Sequence, residues 1–226
     1  GGFFMKINEI ETPALILDKQ TFEYNLERMD QLLEGTTMKL RPHYKSNKCA
    51  EIAKLQIKRG AAGITCAKLG EAEDLANAGI ENILIANQVV QPSKVKRVAE
   101  LAKDHYIIIC VDDKDNIKAL SDAAMEAGSQ IHVLVEYEVG MKRCGVDTYD
   151  EFIELAELID KSEGLIFEGI QAYGGHMAHE HSLETRIAET NRIENEVREL
   201  KALLEAKGLK VKEVGGGSTG TIEQKA

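Results

Sequence analysis

Residues 106–137 read YIIICVDDKDNIKALSDAAMEAGSQIHVLVEY. Two short runs rich in β-branched residues, 106–111 and 131–137, enclose a helical pattern that ends at Gly128. A strand, a helix and a second strand in that order imply parallel strands joined by a right-handed crossover. The same alternation continues in both directions. Strand-like runs fall at 13–17, 38–42, 63–67, 82–86, 165–172 and 210–214, with helical patterns between them. Over 19–34, Phe22, Leu26, Met29 and Leu33 share one helical face, and over 182–207 Ile193, Val197, Leu200 and Leu204 do the same. Gly35, Gly60, Gly79, Gly128, Gly164 and Gly208 follow helical patterns, where a left-handed terminating residue is wanted. Asp18, Ser93 and Thr148 are predicted N-caps.

Successive strand–helix units with short loops predict a TIM-type (β/α) barrel of class α/β, and such a barrel needs eight strands. The run at 13–17 precedes a helix and is either the eighth strand or part of something else. The sequence stops soon after Val214, where another helix and strand would follow. The expectation is one barrel domain over residues 1–226, incomplete because it lacks its last unit. A doubly wound open sheet is the alternative, and its ligand also sits at the carboxyl ends of the strands. In both cases chemistry belongs to residues just after strands.

The apolar content is 43% and the charged content 29%, as in ordinary globular proteins. The formal net charge of -10 argues against nucleic acid as a partner, since phosphate backbones want clustered cations. The absence of Trp argues against a stacking platform for bases. No run approaches a membrane span, and the first residues lack the regions of a signal peptide. Cys49, Cys66, Cys110 and Cys144 form no C-x-x-C pair, which predicts free thiols in a reducing cytoplasm.

Four polar or glycine-rich stretches follow strands. In RPHYKSNK (41–48), strand alternation puts Arg41, His43 and Lys45 on one face. Nearby positive charge or burial lowers the pKa of a lysine, and the free amine forms Schiff bases with carbonyls. The plainer alternative is a basic loop capping a strand. In EVGMKRCGV (138–146), Arg143 could clamp an anionic oxygen, or could simply be neutralised by Glu136 and Glu138. In QAYGGHMAHEH (171–181), His176, His179 and His181 lack a dedicated carboxylate and read as loop histidines rather than metal ligands. Tyr173 lies at a strand end, as a site residue or as a half-buried aromatic. In Gly215–Thr221, glycines around Ser218 and Thr219 can turn several N–H groups toward one anion, although a flexible loop has the same composition. No G-K-[ST] follows, so this is not a P-loop. Together the stretches supply an amine, an anion nest, an Arg and a Tyr at one end of one barrel. A phosphorylated aldehyde needs that set, and the cofactor of that description is pyridoxal 5′-phosphate.

Thr12–Asp18 (TPALILD), RPHYKSNK, AKLGEAE (67–73), ILIANQ (83–88), VGMKRCGV (139–146), QAYGGH (171–176) and GGGSTGT (215–221) form an ordered set. In it the chain resembles the N-terminal barrel of the alanine-racemase-like, fold type III pyridoxal-phosphate enzymes, and within them the D-threonine aldolase and D-serine dehydratase group. The resemblance implies that Lys45 carries the cofactor as a Schiff base. It places Arg143 near the cofactor's phenolic oxygen and Tyr173 against its ring, both Lys45 and Tyr173 being catalytic. Gly216, Gly217, Ser218 and Thr219 would hold the phosphate. Arg41 and His43 would then help to hold Lys45, and Lys48 would lie outside the chemistry or meet the substrate carboxylate. The implied activity is that of a lyase on D-β-hydroxy-amino acids, as aldolase or dehydratase.

Full-length members of this group continue past the glycine-rich stretch and add a C-terminal β-domain. That domain supplies the ligands of a divalent metal, so no metal ligand is assigned here, and residues 12–18 would form one of its strands. Such enzymes usually work as homodimers. A non-catalytic pyridoxal-phosphate homeostasis protein is an alternative of suitable length, but its lysine lies in a V-S-K-T-K-like stretch that RPHYKSNK is not. An amino-acid racemase is another, and it would need a second base from the absent domain.

Overall fold

The computed structural model of the chain describes residues 5–218 and 220–222. The chain divides into two compact units, with the boundary after Met38. In the first, a 3-10 turn at Ile7–Glu9 precedes helix α1, Lys19–Leu33. The Asp18 carboxylate caps α1 by accepting from the Thr21 N–H at 2.7 Å, as expected of an Asp at this position. Phe22, Leu26, Met29 and Leu33 are half-buried. The strand expected at 13–17 is not formed: the segment makes no ladder, and Leu15 is 98% exposed. A strand exists only through hydrogen bonds to a neighbour, and among the described residues this unit holds no strand to pair with.

The second unit alternates helix and strand. Its elements are α2 (Ala50–Lys58), β1 (Ile64–Cys66), α3 (Leu69–Asn77), β2 (Asn82–Ile85), α4 (Pro92–Leu101), β3 (Tyr106–Val111) and α5 (Lys114–Ala127). Then follow β4 (Ile131–Glu136), α6 (Tyr149–Lys161), β5 (Leu165–Ala172), a 3-10 turn (Gly175–His179), α7 (Leu183–Ala206) and β6 (Glu213–Gly216). All six strands are parallel and lie side by side in chain order. A doubly wound sheet reverses its strand order at a switch point, and this one does not. The architecture is the incomplete (β/α) barrel that the alternation predicts.

The run at 38–42 is reduced to a single parallel bridge, His43 to Thr65. The Pro42 carbonyl accepts from the Thr65 N–H at 2.8 Å, but proline has no N–H to return, so the ladder stays incomplete. The last strand begins at Glu213 rather than Lys210. The six glycines expected to end helices all have positive φ. Thr148 caps α6 as expected, but Ser93 does not cap α4. Pro92 occupies the first turn of that helix, which therefore starts before Ser93.

Strand side chains alternate between two cores. Ile83, Ile85, Ile107, Ile109, Val133 and Val135 face the helices, where they pack with Leu75, Val98, Leu120, Phe152 and Leu200. Leu84, Ile108, Cys110 and Leu134 form a separate cluster on the other face, the barrel interior. Below this cluster, at the amino ends of the strands, the interior is polar. Glu168 accepts from Tyr106 Oη at 2.7 Å, His132 Nδ1 at 2.8 Å and Lys212 Nζ at 3.2 Å. Glu168 is the extra residue of a β-bulge, because Val133 pairs with Phe167 and Leu134 with Gly169. Gly169 lets β6 approach: a Cβ there would lie 1.9 Å from the Glu213 carbonyl oxygen.

Candidate active site

Each of the four stretches runs past the carboxyl end of a parallel strand, or past the bridge at His43, although Arg41, Gln171, Ala172, Gly215 and Gly216 lie before or within those strands. Lys45 lies in the turn just beyond that bridge, exposed, next to the buried Tyr44. Its N–H donates to His43 Nδ1 at 3.2 Å. Burial lowers the His43 pKa, and the Lys45 and Lys48 charges add to the effect while Glu71 opposes it. A neutral imidazole that accepts at Nδ1 is the consistent state.

The β4–α6 loop is held from several directions. The Glu138 carboxylate accepts from the N–H groups of Gly140 and Arg143, and Asp112 accepts from the Gly145 N–H at 2.9 Å. A parallel bridge joins Tyr137 to Val146. From α7, Arg192 Nη2 donates to the Val139 carbonyl at 2.7 Å, and Glu189 pairs with both Arg192 and His176. The loop so fixed presents Arg143. Its guanidinium lies 5.1 Å from the centre of the Tyr173 ring, within cation–π range. On its other side Arg143 Nη2 is 3.5 Å from Glu136 Oε1. Glu136 also accepts from Gln88 Nε2 at 2.6 Å. Burial raises the Glu136 pKa, against the pull of Gln88 and Arg143.

After β6, the Ser218 N–H donates to Thr221 Oγ1 at 2.9 Å, and the Thr221 N–H returns to the Ser218 carbonyl at 3.1 Å. The Ser218 hydroxyl is buried and has no hydrogen-bond partner among the described residues. Gly217, with φ at +73°, makes the turn into this segment.

The model of the alanine racemase N-terminal domain matches residues 17–226. The chain belongs to this family. It is 39% identical to a 3-hydroxy-D-aspartate aldolase of Paracoccus denitrificans strain Pd 1222, over 96% of its own length and 57% of the relative's. It is 38% identical to a D-threonine aldolase of an Arthrobacter species, over 95% of its length and 56% of the relative's. The crystal structure of a D-threonine aldolase from Filomicrobium marinum superposes with a TM-score of 0.92 at 40% identity, covering 95% of this chain and 58% of that one. The chain thus spans less than two thirds of the length of these relatives.

Within this alanine-racemase-type barrel, Arg143 and Tyr173 are in contact as a pair, and Lys45 stands at the same end of the sheet beside His43. Gly216 ends β6, the neighbour of β5, and Gly217 and Ser218 follow it, while Thr219 lies outside the described residues. One expectation from the first stretch is corrected. Arg41 does not support Lys45. Its Nε and Nη2 donate to Glu213 at 3.1 and 2.7 Å and its Nη1 to Asn82 at 2.7 Å, at the amino end of the sheet. Strand direction explains this: residues two apart share a face but differ in height along the barrel. Of the two readings of Lys48, its pairing with Glu71, which also accepts from the Ala67 N–H at 2.9 Å, favours the one that leaves it outside the chemistry. His179 and His181 are exposed, and His176 is paired with Glu189. Sequence reasoning missed Gln88 and Asp112 as supports of the Arg143 loop. Both lie just after strands, and that position was the available signal.

Proposed function

We propose that the protein is a pyridoxal-phosphate-dependent lyase that cleaves D-β-hydroxy-amino acids to glycine and an aldehyde. The observation that carries this reading is the Arg143–Tyr173 pair at the carboxyl end of the sheet, 5.1 Å apart, on the same side as Lys45. The relatives support the aldolase form, since two at 38–39% identity are named for aldolases of D-amino acids.

The residues present fit the cofactor. The buried, unpartnered Ser218 hydroxyl is a donor without an acceptor in a glycine-rich turn, which suits a phosphate. Gly216, Gly217 and Ser218, with Thr219, would hold that phosphate. Arg143 would face the phenolic oxygen, where a cation keeps it anionic, and Tyr173 would lie against the ring. The exposed Lys45 amine would form the covalent link to the aldehyde carbon. When bound, the cofactor supplies an electron sink for bonds broken at Cα. In the reaction the substrate's β-hydroxyl gives up its proton and the Cα–Cβ bond breaks. The aldehyde leaves, and the electron pair left on Cα takes a proton to give glycine. Glu136 balances the Arg143 charge, and the neutral His43 adds no positive charge beside Lys45. A divalent metal near the substrate hydroxyl belongs to the reading. The resemblance places its ligands in a C-terminal β-domain, and none is assigned among these residues. The whole protein would act as a homodimer in the cytoplasm.

The test is an absorption spectrum of the purified protein with added pyridoxal phosphate, beside Lys45→Ala. A visible band displaced from that of the free cofactor, present in the wild type and lost in the variant, is expected. Persistence of the band in Lys45→Ala sinks the lysine assignment. With D-threonine as substrate, glycine and acetaldehyde are the expected products. A 2-oxo acid and ammonia instead would replace the aldolase reading with a dehydratase one.

A further inference from the structure

Arg186 lies in the first turn of α7, partly buried, and its Nη1 donates to the Gly220 carbonyl at 3.1 Å. That bond ties α7 to the glycine-rich turn after β6. The Arg186 Nε is buried and makes no hydrogen bond. Among the described residues Arg41, Arg97, Arg143 and Arg192 each face a carboxylate, and Arg186 faces none. The chain has 38 acidic residues against 28 Lys and Arg, so an inward arginine left without an acid is not a matter of supply. Burying a guanidinium donor with no acceptor costs about 1–3 kcal/mol. The Ser218 hydroxyl, in the same Ser218–Thr221 turn, is also buried without an acceptor. Two donors that lack acceptors thus belong to one glycine-rich turn or to a permanent cation bonded to it. This is the complement of a phosphate monoester.

We propose that Arg186 is a phosphate-anchoring residue of the cofactor site, added to the glycine-rich turn from α7. The inference rests on the pyridoxal-phosphate reading above and extends it to a residue on another element. Arg186 takes up the phosphate's negative charge, which the neutral donors Ser218 and Thr219 cannot do, and its bond to Gly220 holds the turn in register with α7.

Equilibrium dialysis tests this, using pyridoxal phosphate and pyridoxal on the wild type, Arg186→Gln and Arg186→Lys. Loss of a charge-assisted hydrogen bond to phosphate predicts that Arg186→Gln weakens pyridoxal phosphate binding roughly 10- to 100-fold. Pyridoxal, which lacks the phosphate, should bind the variant and the wild type alike. Arg186→Lys should recover part of the preference, and inorganic phosphate should compete with pyridoxal phosphate on the wild type more strongly than on Arg186→Gln. An equal loss for both ligands would assign Arg186 a merely structural role and overturn the proposal. An unchanged preference in both variants would overturn it as well. A wild type that binds neither ligand, or binds both equally, would instead remove the phosphate-site reading on which the proposal stands.

Discussion

Arg143 touches an aromatic ring on one side and a buried carboxylate on the other, and both contacts matter to how it is held. Glu136 is 6% exposed and its pKa is raised by burial, so its charge is tolerated only because Arg143 and Gln88 face it. Arg143→Met should therefore lower folding stability at neutral pH by about 1 kcal/mol, discounted for the half-exposed guanidinium. The deficit should shrink as pH falls toward the raised Glu136 pKa, because the neutral acid needs no cation. Adding Glu136→Gln to Arg143→Met should restore the midpoint of urea unfolding, and an unrestored midpoint would mean the pair is not coupled. At this scale the sequence is informative about residue types and poor about height along a strand. The placement of Lys45, Arg143 and Tyr173 at the carboxyl end of the sheet was legible because each follows a strand. The position of Arg41 was not, because the pleat reports the face of a side chain but not which end of the barrel it serves. Arg186 was not legible at all, since its partner Gly220 is 34 residues away and the contact is to a backbone carbonyl.

The elements carry the same lesson in a different form. The Thr148 hydroxyl accepts from the Glu151 N–H at 3.2 Å and donates to the Glu151 carboxylate at 2.9 Å, closing the first turn of α6 just beyond the Arg143 loop. Thr148→Ala should cost about 1 kcal/mol, and Thr148→Ser should cost much less, as read from thermal unfolding. Caps and periodic faces are local, which is why α6 and α7 follow from sequence: Ile193, Val197, Leu200 and Leu204 are all buried, as their spacing requires. β3 and β5 also begin and end where the apolar runs do. Strand 13–17 failed for a reason no local pattern contains. Its residues have strand composition, but pairing is a property of two segments, and the described residues of its unit offer no second one. Ser93 failed because the choice between a cap and a first-turn proline is settled by one residue, Pro92.

At the scale of the whole sheet, the two ends of the parallel strands are chemically opposite. The carboxyl ends carry groups within reach of solvent, among them the exposed Lys45 and Arg143 and the half-buried Tyr173. The amino ends are closed by a partly buried ionic layer in which Arg41 is paired with Glu213 and Glu168 is surrounded by donors. Tyr106 stacks on His132 with ring centroids 3.7 Å apart, filling the space between β3 and β4. This layer joins β3, β4 and β5 to the segment leading into β6, so it fixes the part of the sheet on which the site residues stand. Burial opposes ionisation of Glu168, but the bonds from His132, Tyr106 and Lys212 outweigh it and bring its pKa from 4.5 to about 2. A carboxylate whose pKa is depressed by folding stabilises the fold fully above its unfolded value and loses that contribution as pH falls through the folded one. The contribution, on the order of 3 kcal/mol, should therefore be intact at neutral pH and disappear between about pH 4.5 and pH 2. Glu168→Gln keeps the shape but cannot satisfy three donors as a charged acceptor. It should unfold at lower urea concentration at pH 7, and its stability should fall less steeply than that of the wild type over the acid range. Parallel acid profiles for the two proteins would show that acid sensitivity resides outside this layer, and that the closed end of the barrel is held by packing alone.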